Sequence, residues 1–398
     1  MTLIDFLLCA LALAGAVPVL VLAAEVLASL PPVRPGPLPA RRPSLAVLVP
    51  AHDEAGLIAG TVTALRTGLR DGDRLLVVAD NCRDATAAEA RAAGAEVVER
   101  HDPVRRGKGY ALDHGLRHLA RTGLPEALVV VDADCTLAPA SLDRIARVSA
   151  ALDAPVQAAY HLASPPQASS SLRLATFATE IKQIGRPLGA SRLGWPCGLS
   201  GTGFAVPARL LGTNGLASGH LAEDLKLGLD LALAGHPPRF CPEAEVDSIL
   251  PAGAAARHAQ QTRWEHGHVS LILPYAGALT GAALRRGDPR LLALALDLCV
   301  LPLVTLGLVQ AGLLAAALAW WTLGGGAAPL LVTGASLALL VVTFGLAVGR
   351  WGRGILGWRD LRALPGLVAG KAGILARLAL GRPAQWVRTE RAGEGPSA

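Results

Sequence analysis

Residues 128–135, LVVVDADC, carry the reading of the whole chain. Leu128 and three valines run straight into two aspartates, Asp132 and Asp134, with one alanine between them. The apolar run fits a buried strand. Carboxylates at the rim of an apolar core are costly unless something pairs with them. Hard oxygens in pairs suit Mg2+ or Mn2+, which take few protein ligands and complete their shell from substrate phosphates. An aspartate that caps the following helix is the alternative, and Asp-x-Asp spacing alone does not choose between them.

Upstream of this stretch the pattern alternates. SLAVLVPA (44–51) reads as a strand and Gly56–Arg70 as a helix with Leu57, Ile58, Val62 and Leu65 on one side. RLLVVAD (74–80) is a second strand, Ala85–Ala93 a helix, AEVVER (95–100) a third strand and Gly109–Arg121 a helix. With Ala127–Asp134 as the fourth strand, the order predicts an α/β fold with a mostly parallel sheet covered by helices. Ligands in such sheets bind outside the carboxyl ends of the strands. Acids stand at those ends: Asp53 and Glu54 after the first strand, Asp80 after the second, and Asp132 and Asp134 after the fourth.

Composition adds a membrane. Of 398 residues, 52% are hydrophobic and 17% charged, and the mean hydropathy is +0.42. The excess lies in Phe6–Ala24, Leu298–Leu323 and Leu330–Val348, each about the roughly 20 residues that cross a bilayer. No Lys or Arg precedes the first run, while Arg34, Arg41 and Arg42 follow it. That argues against a signal peptide and puts residue 34 onward on the cytoplasmic side of an expected bacterial-type plasma membrane. Arg350, Arg353, Arg359 and Arg362 cluster after the last run in agreement, with Gly324–Pro329 as the outer turn and Asp297 at an inner membrane edge. The expected organisation is a membrane helix in 1–30, a proline-rich linker in 31–43 and a cytoplasmic domain over 44–275 ending in an interfacial segment. Two membrane helices within 291–350 and a basic tail over 351–398 complete it. The net charge of +6 carries no interleaving of basic and aromatic residues, so nucleic acid is not an expected partner. The six cysteines have no CxxC pair or zinc-like spacing and read as reduced thiols.

Other short segments carry chemistry of their own. VRRGKGYAL (104–112) sets Arg105, Arg106 and Lys108 on a glycine-flanked loop before a helix, which favours phosphate; an exposed basic loop is the plainer reading. AED (222–224) puts Glu223 and Asp224 at a helix start, where the dipole favours an ionised carboxylate fit to act as a base; capping explains it equally well. In QQTRW (260–264), Arg263 suits a diphosphate and Trp264 a sugar face or the bilayer interface. Interfacial anchoring does not account for Gln260. His114, His118, His266 and His268 lack a third metal ligand and are expected at the surface.

Taken together, these segments resemble the membrane-bound family-two glycosyltransferases, which include the cellulose, chitin and hyaluronan synthases. VLVPAHDEAG, VVADNCRDAT, RRGKGYAL, VVVDADC, AED and QQTRW occur in that family's order, and WVRTER (386–391) is similar to a tail of bacterial members. The resemblance implies a GT-A catalytic fold with helical membrane segments, a divalent metal, and inverting transfer from a nucleoside diphosphate sugar, with UDP expected. It implies that Glu54 and Asp80 contact base and ribose, Lys108 the diphosphate, Asp132 nucleotide and metal, and Asp134 the metal. Asp224 would deprotonate the acceptor hydroxyl. Glu223, Gln260, Arg263 and Trp264 would cover donor and acceptor, and Cys197 and Gly198 sit where the synthases have an acceptor loop. Ala222 departs from the family's usual Thr, and Asn81 follows a single aspartate. Few spans favour adding one or a few sugars to a membrane-bound glycan or glycolipid over extrusion of a polymer, in exopolysaccharide or envelope synthesis with assembly partners. A polyprenyl-phosphate sugar transferase and a non-catalytic membrane subunit are the rival readings; the first would not need QQTRW, and the retained acids count against the second.

Overall fold

The computed structural model describes residues 2–366 apart from 166, 213–215 and 251–252. The rest of the expected basic tail, WVRTER included, lies outside the described residues. Helix α1 (Leu3–Ser29) leads in, and the alternating region follows as β1 (Leu45–Ala51), α2 (Ile58–Arg66), β2 (Arg74–Asp80), α3 (Thr86–Ala92), β3 (Glu96–Arg100), α4 (Lys108–Thr122) and β4 (Ala127–Val130). Next come β5 (Thr136–Leu137), α5 (Pro139–Leu152), β6 (Val156–Ala163), α6 (Ser170–Glu180), α7 (Arg186–Arg192), β7 (Phe204–Pro207), α8 (Glu223–Leu233) and β8 (Arg239–Ile249). The chain ends its described course in α9 (Ala254–Arg286), α10 (Pro289–Leu298), α11 (Leu303–Thr322) and α12 (Ala328–Trp351).

The strands form one eight-stranded sheet in the order β3-β2-β1-β4-β7-β6-β8-β5. β1, β2, β3 and β4 are mutually parallel; β7 runs antiparallel to both β4 and β6, and β8 returns parallel to β6. Strands covered on both faces read as unbroken apolar runs rather than alternating ones, and β1, β2 and β4 are nearly all buried for that reason. On one face Ile58, Val62 and Leu65 of α2 and Leu142 and Ile145 of α5 close the core; on the other, Leu112, Leu116 and Leu119 of α4 do so. β4 stops at Val130, so Asp132 and Asp134 occupy the turn beyond the strand rather than the strand itself. β7 lies inside a glycine-rich stretch whose four apolar residues give no periodic signal. One helical course runs from Ser170 to Arg192 through a π turn at Ile181–Gly185.

Helices α1, α11 and α12 are long and apolar enough to cross a membrane, and Arg257–Arg286 of α9 is a fourth candidate by the same measure. α9 nonetheless buries Leu271, Leu279, Ala282 and Ala283 against Leu229 and Ala232 of α8 and Leu291, Leu294 and Leu298 of α10. The two ends of the helical bundle are fastened differently. At one end Asp5 of α1 accepts hydrogen bonds from Trp320 Nε1 and Gly326 N, both at 2.8 Å, tying the start of the chain to the α11–α12 turn. At the other end Arg186 donates to Glu25 of α1 at 2.8 Å and pairs with Asp297 of α10 at 2.5 Å. A buried guanidinium with carboxylates on either side fastens α7 to α1 and α10, since removing one partner would leave an uncompensated charge.

Candidate active site

The carboxyl ends of β1, β2 and β4 open into a cavity of about 1050 Å³. Each strand delivers its acid there: Glu54, Asp80, and Asp132 with Asp134 all line the wall. Lys108, Cys197, Gly198, Glu223 and Asp224 line it too, and Gln260, Arg263 and Trp264 reach it from α9. Residues spread over two hundred positions of sequence thus meet at one sheet edge, which individual motifs could not establish.

Asp80 is held in place by Arg100, whose Nη1 donates to it at 2.6 Å, and by Asn81 Nδ2 at 3.0 Å. Arg100 also donates to the Arg105 carbonyl at 2.6 Å, so the end of β3 braces the basic loop before α4. Asn81 stands in the left-handed region at φ 55°, and its Oδ1 accepts from the Asp102 amide at 2.8 Å. That geometry tolerates Asn better than most residues.

Lys108 opens α4 and donates from Nζ to the Gly201 carbonyl at 2.7 Å while pairing with Asp132 Oδ1. Burial alone would lower its pKa, but Asp132, Glu223 and Asp224 together outweigh burial and raise it. Gly201 has φ 85°, and a Cβ there would lie 3.3 Å from Asp224 Oδ2, so the loop carrying it must be bare beside both Lys108 and Asp224. Burial raises Asp132, with repulsion from Asp134 added and Lys108 opposing. The Asp132 amide donates to Thr202 Oγ1 at 3.0 Å, which anchors the turn to the same loop.

Ligand atoms of Asp132, Asp134 and Cys135 lie within 4.8 Å of one another. Burial pushes the Cys135 thiol well above its usual range, so it stays protonated and leaves an all-oxygen pair. Two converging carboxylates fit a hard divalent cation of the Mg2+ or Mn2+ kind. The comparable cluster of Asp53, Cys82 and Asp84 is engaged differently. Asp53 accepts from the Arg83 amide at 2.7 Å, and Asp84 accepts from the Thr86 and Ala55 amides at 3.0 Å each, so these acids build a turn.

Glu223 and Asp224 begin α8, as expected. A Cβ at Gly267 of α9 would come within 2.9 Å of Ala222 Cβ, so the small pair 222 and 267 lets α9 cover the start of α8. Ala222 therefore has a packing reason that the sequence did not disclose. The Ala222 amide donates to His220 Nδ1 at 3.0 Å, which puts the ring proton on Nε2, 3.0 Å from Ser270 Oγ.

Burial raises Glu223 to about 7 from 4.5, with Asp224 adding to the rise and Lys108 opposing it. A raised carboxyl stabilises the fold below its unfolded value near 4.5, and that stability is lost as pH climbs through about 7. In Glu223→Gln the ligand-free protein is therefore expected to gain on the order of 1–3 kcal/mol relative to wild type between about pH 5 and 8. Thermal melts of both proteins at the two pH values measure it; parallel pH dependence would contradict it.

Sequence reasoning missed Lys182 and Arg186, which line the cavity from the π turn and the start of α7. Their spacing of four in EIKQIGRP was a helical-face signal, but nothing marked which face met the cavity. Gln183 was missed as well; its Oε1 accepts from Ser200 Oγ at 2.6 Å. The expectation of surface histidines fails at His268, which is buried and meets the Leu298 carbonyl at 2.8 Å because α10 packs over it. His118 does lie at the surface side, against Glu96 at 2.5 Å.

A mixed sheet with acids at its parallel strand ends, cations between them and a helix-start acid pair forms a ligand site where such sheets bind their ligands, outside the carboxyl ends of the strands. Residues 43–267, more than half of the chain, match the family described as "Glycosyltransferase like family 2", and the protein belongs to that family and is a glycosyltransferase. The fold is similar to that of the mannosyltransferase PcManGT from Pyrobaculum calidifontis, solved in complex with GDP-Man and Mn2+. The two share 19% identity over 94% of this chain and 100% of that one, at a TM-score of 0.57. Glucosyl-3-phosphoglycerate synthase from Mycobacterium tuberculosis, in complex with Mg2+ and uridine diphosphate, aligns at 24% identity over 60% of this chain and 84% of that one, with a TM-score of 0.40. No curated protein matches the sequence.

Proposed function

We propose that the protein transfers a sugar, with inversion, from a nucleoside diphosphate sugar to a hydroxyl of a membrane-associated glycan or glycolipid. The observation that carries this reading is the position of Lys108, paired with Asp132 and in the field of both Glu223 and Asp224 inside one cavity. The same cavity brings Asp132, Glu223 and Asp224 around the Lys108 ammonium.

In this reading Glu54 and Asp80 hold the base and ribose, Asp80 being oriented by Arg100. Asp132 and Asp134 would hold Mg2+ or Mn2+, which supplies positive charge to the diphosphate when bound; the structurally similar mannosyltransferase was solved with Mn2+. Lys108 moves from Asp132 to the diphosphate and stabilises the charge that develops as the sugar departs. Arg263 adds to that charge, while Gln260, Trp264, Cys197 and Gly198 shape the space for sugar and acceptor. Asp224 accepts the proton of the incoming hydroxyl, and Glu223, raised by burial to about 7, stands beside it. α1, α11 and α12 cross the plasma membrane, the α9–α10 hairpin lies at its inner surface, and the catalytic domain sits on the cytoplasmic side. The α1–α11 link at Asp5 and the Arg186 clamp at the other end support that arrangement.

The test incubates membranes containing the full chain with labelled UDP- and GDP-sugars and Mn2+. Label is expected in the lipid-extractable fraction with at least one donor. Release as free sugar alone, or entry only into insoluble polymer, would overturn the acceptor assignment.

A further inference from the structure

A second, smaller cavity of about 120 Å³ adjoins the active site on its membrane side. The two share Lys182, Arg186, Gln260, Trp264 and His268 as walls, so a ligand can occupy both at once. The far wall is apolar: Leu22 comes from α1, Ala175, Ala178 and Ile181 from α6 and the π turn, and Val300 and Leu303 from the entry to α11. It therefore lies between the catalytic-domain ends of two helices long and apolar enough to cross a membrane.

Its charge is lopsided. Lys182, Arg186 and Arg257 line the small cavity against a single acid, Glu265. Arg186 is already neutralised by Glu25 and Asp297. Lys182 is different: among the described residues its ammonium makes no hydrogen bond or ion pair, although it is accessible within the cavity. Surrounding protein pushes its pKa down, with Asp224 opposing. The backbone that presents it is the π turn Ile181–Gly185, a helix irregularity that recurs at functional sites. The donor side has its own cations in Lys108, Arg106 and Arg263, and none of these lines the small cavity.

We infer that the small cavity and Lys182 together seat a lipid phosphate, the phosphate on the ammonium and the first methylenes of its chain against Leu22, Ala178 and Leu303. This rests on the transferase reading and specifies its acceptor: a phosphate-bearing membrane lipid that enters laterally between α1 and α11, its head toward Asp224. The sugar then lands on a hydroxyl carried beyond that phosphate, beside Asp224.

The experiment measures binding of dodecyl phosphate, dodecanol and inorganic phosphate to the full chain in neutral detergent, without donor or metal. Dodecyl phosphate is expected to bind at least about tenfold more tightly than either other probe. Lys182→Gln is expected to lose about tenfold or more of that affinity and Lys182→Arg to recover most of it. Ala178→Trp, which fills the apolar end, should weaken dodecyl phosphate while leaving inorganic phosphate unchanged. Wild-type affinity in Lys182→Gln, or inorganic phosphate binding as tightly as dodecyl phosphate, would overturn the assignment. Because the probes need no nucleotide, either result leaves the transferase reading to its own test. A dodecyl phosphate-binding protein that glycosylates neither a lipid phosphate nor a lipid-linked glycan would count against that reading instead.

Discussion

Asp224→Asn lowers the rate of sugar transfer by about 10²- to 10⁴-fold, the range of a positioned general base, and leaves donor affinity within about threefold. A sugar hydroxyl is a poor nucleophile near neutral pH, and in the proposed mechanism the carboxylate at the start of α8 takes its proton. Asparagine keeps the shape beside Gly201 and the α8 terminus, so the variant folds and still forms the pocket. It cannot accept the proton. The expected signature is a kcat loss without a matching rise in KM for the donor, together with loss of the acidic limb of the pH–rate profile. Near-wild-type transfer in Asp224→Asn would remove Asp224 from the mechanism and turn attention to Glu223.

Asp134→Ala has a comparable effect through a different route. Asp134 stands in the turn after β4, and the neighbouring Cys135 is buried and stays a thiol, so it does not replace the lost oxygen. Removing one of two carboxylates from a hard-cation site costs several kcal/mol of charge stabilisation, and each 1.36 kcal/mol is a factor of ten. Metal-dependent donor turnover is therefore expected to fall by about 10²-fold or more. The melting temperature of the ligand-free protein should hold or rise, because Asp134 raises the pKa of its neighbour Asp132 and repels it. Unchanged turnover at saturating Mn2+ would exclude Asp134 as a metal ligand.

The parallel half of the sheet was legible because its physics is local. Unbroken runs such as LAVLVPA and RLLVVAD have few alternatives to buried strands, and the acids that follow them stand out. The antiparallel part was not. FAVP is too short to show a period, and its place between β4 and β6 depends on long-range pairing. The same limit applied to the site. Each carboxylate could be picked out by its position after a strand or at a helix start. Lys108 and Arg263 could be picked out from their segments too, but Arg100 and Lys182 could not, since they are ordinary residues of a strand end and a helix until the sheet is assembled. Ala222 is the clearest instance: as sequence it is a lost hydroxyl, whereas in the fold it is the contact that admits Gly267 of α9.

Helices α1, α11 and α12, long and apolar enough to cross a membrane, were legible from hydropathy, but the clamp that joins α1 and α10 to α7 was not. Glu25 sits inside an apolar run and Arg186 lies 161 positions away in sequence. Nothing local links them, yet the triad with Asp297 sets how the bundle meets the active site.

The central claim is that the two aspartates of LVVVDADC bind a nucleoside diphosphate through a divalent cation. Calorimetric titration of UDP and GDP into the purified full chain, with and without Mn2+, tests it most directly. The account predicts that at least one nucleotide binds tightly only when Mn2+ is present, and that Asp134→Ala abolishes the metal-dependent part while metal-free binding persists. Equal affinity with and without Mn2+, unchanged by Asp134→Ala, would contradict it.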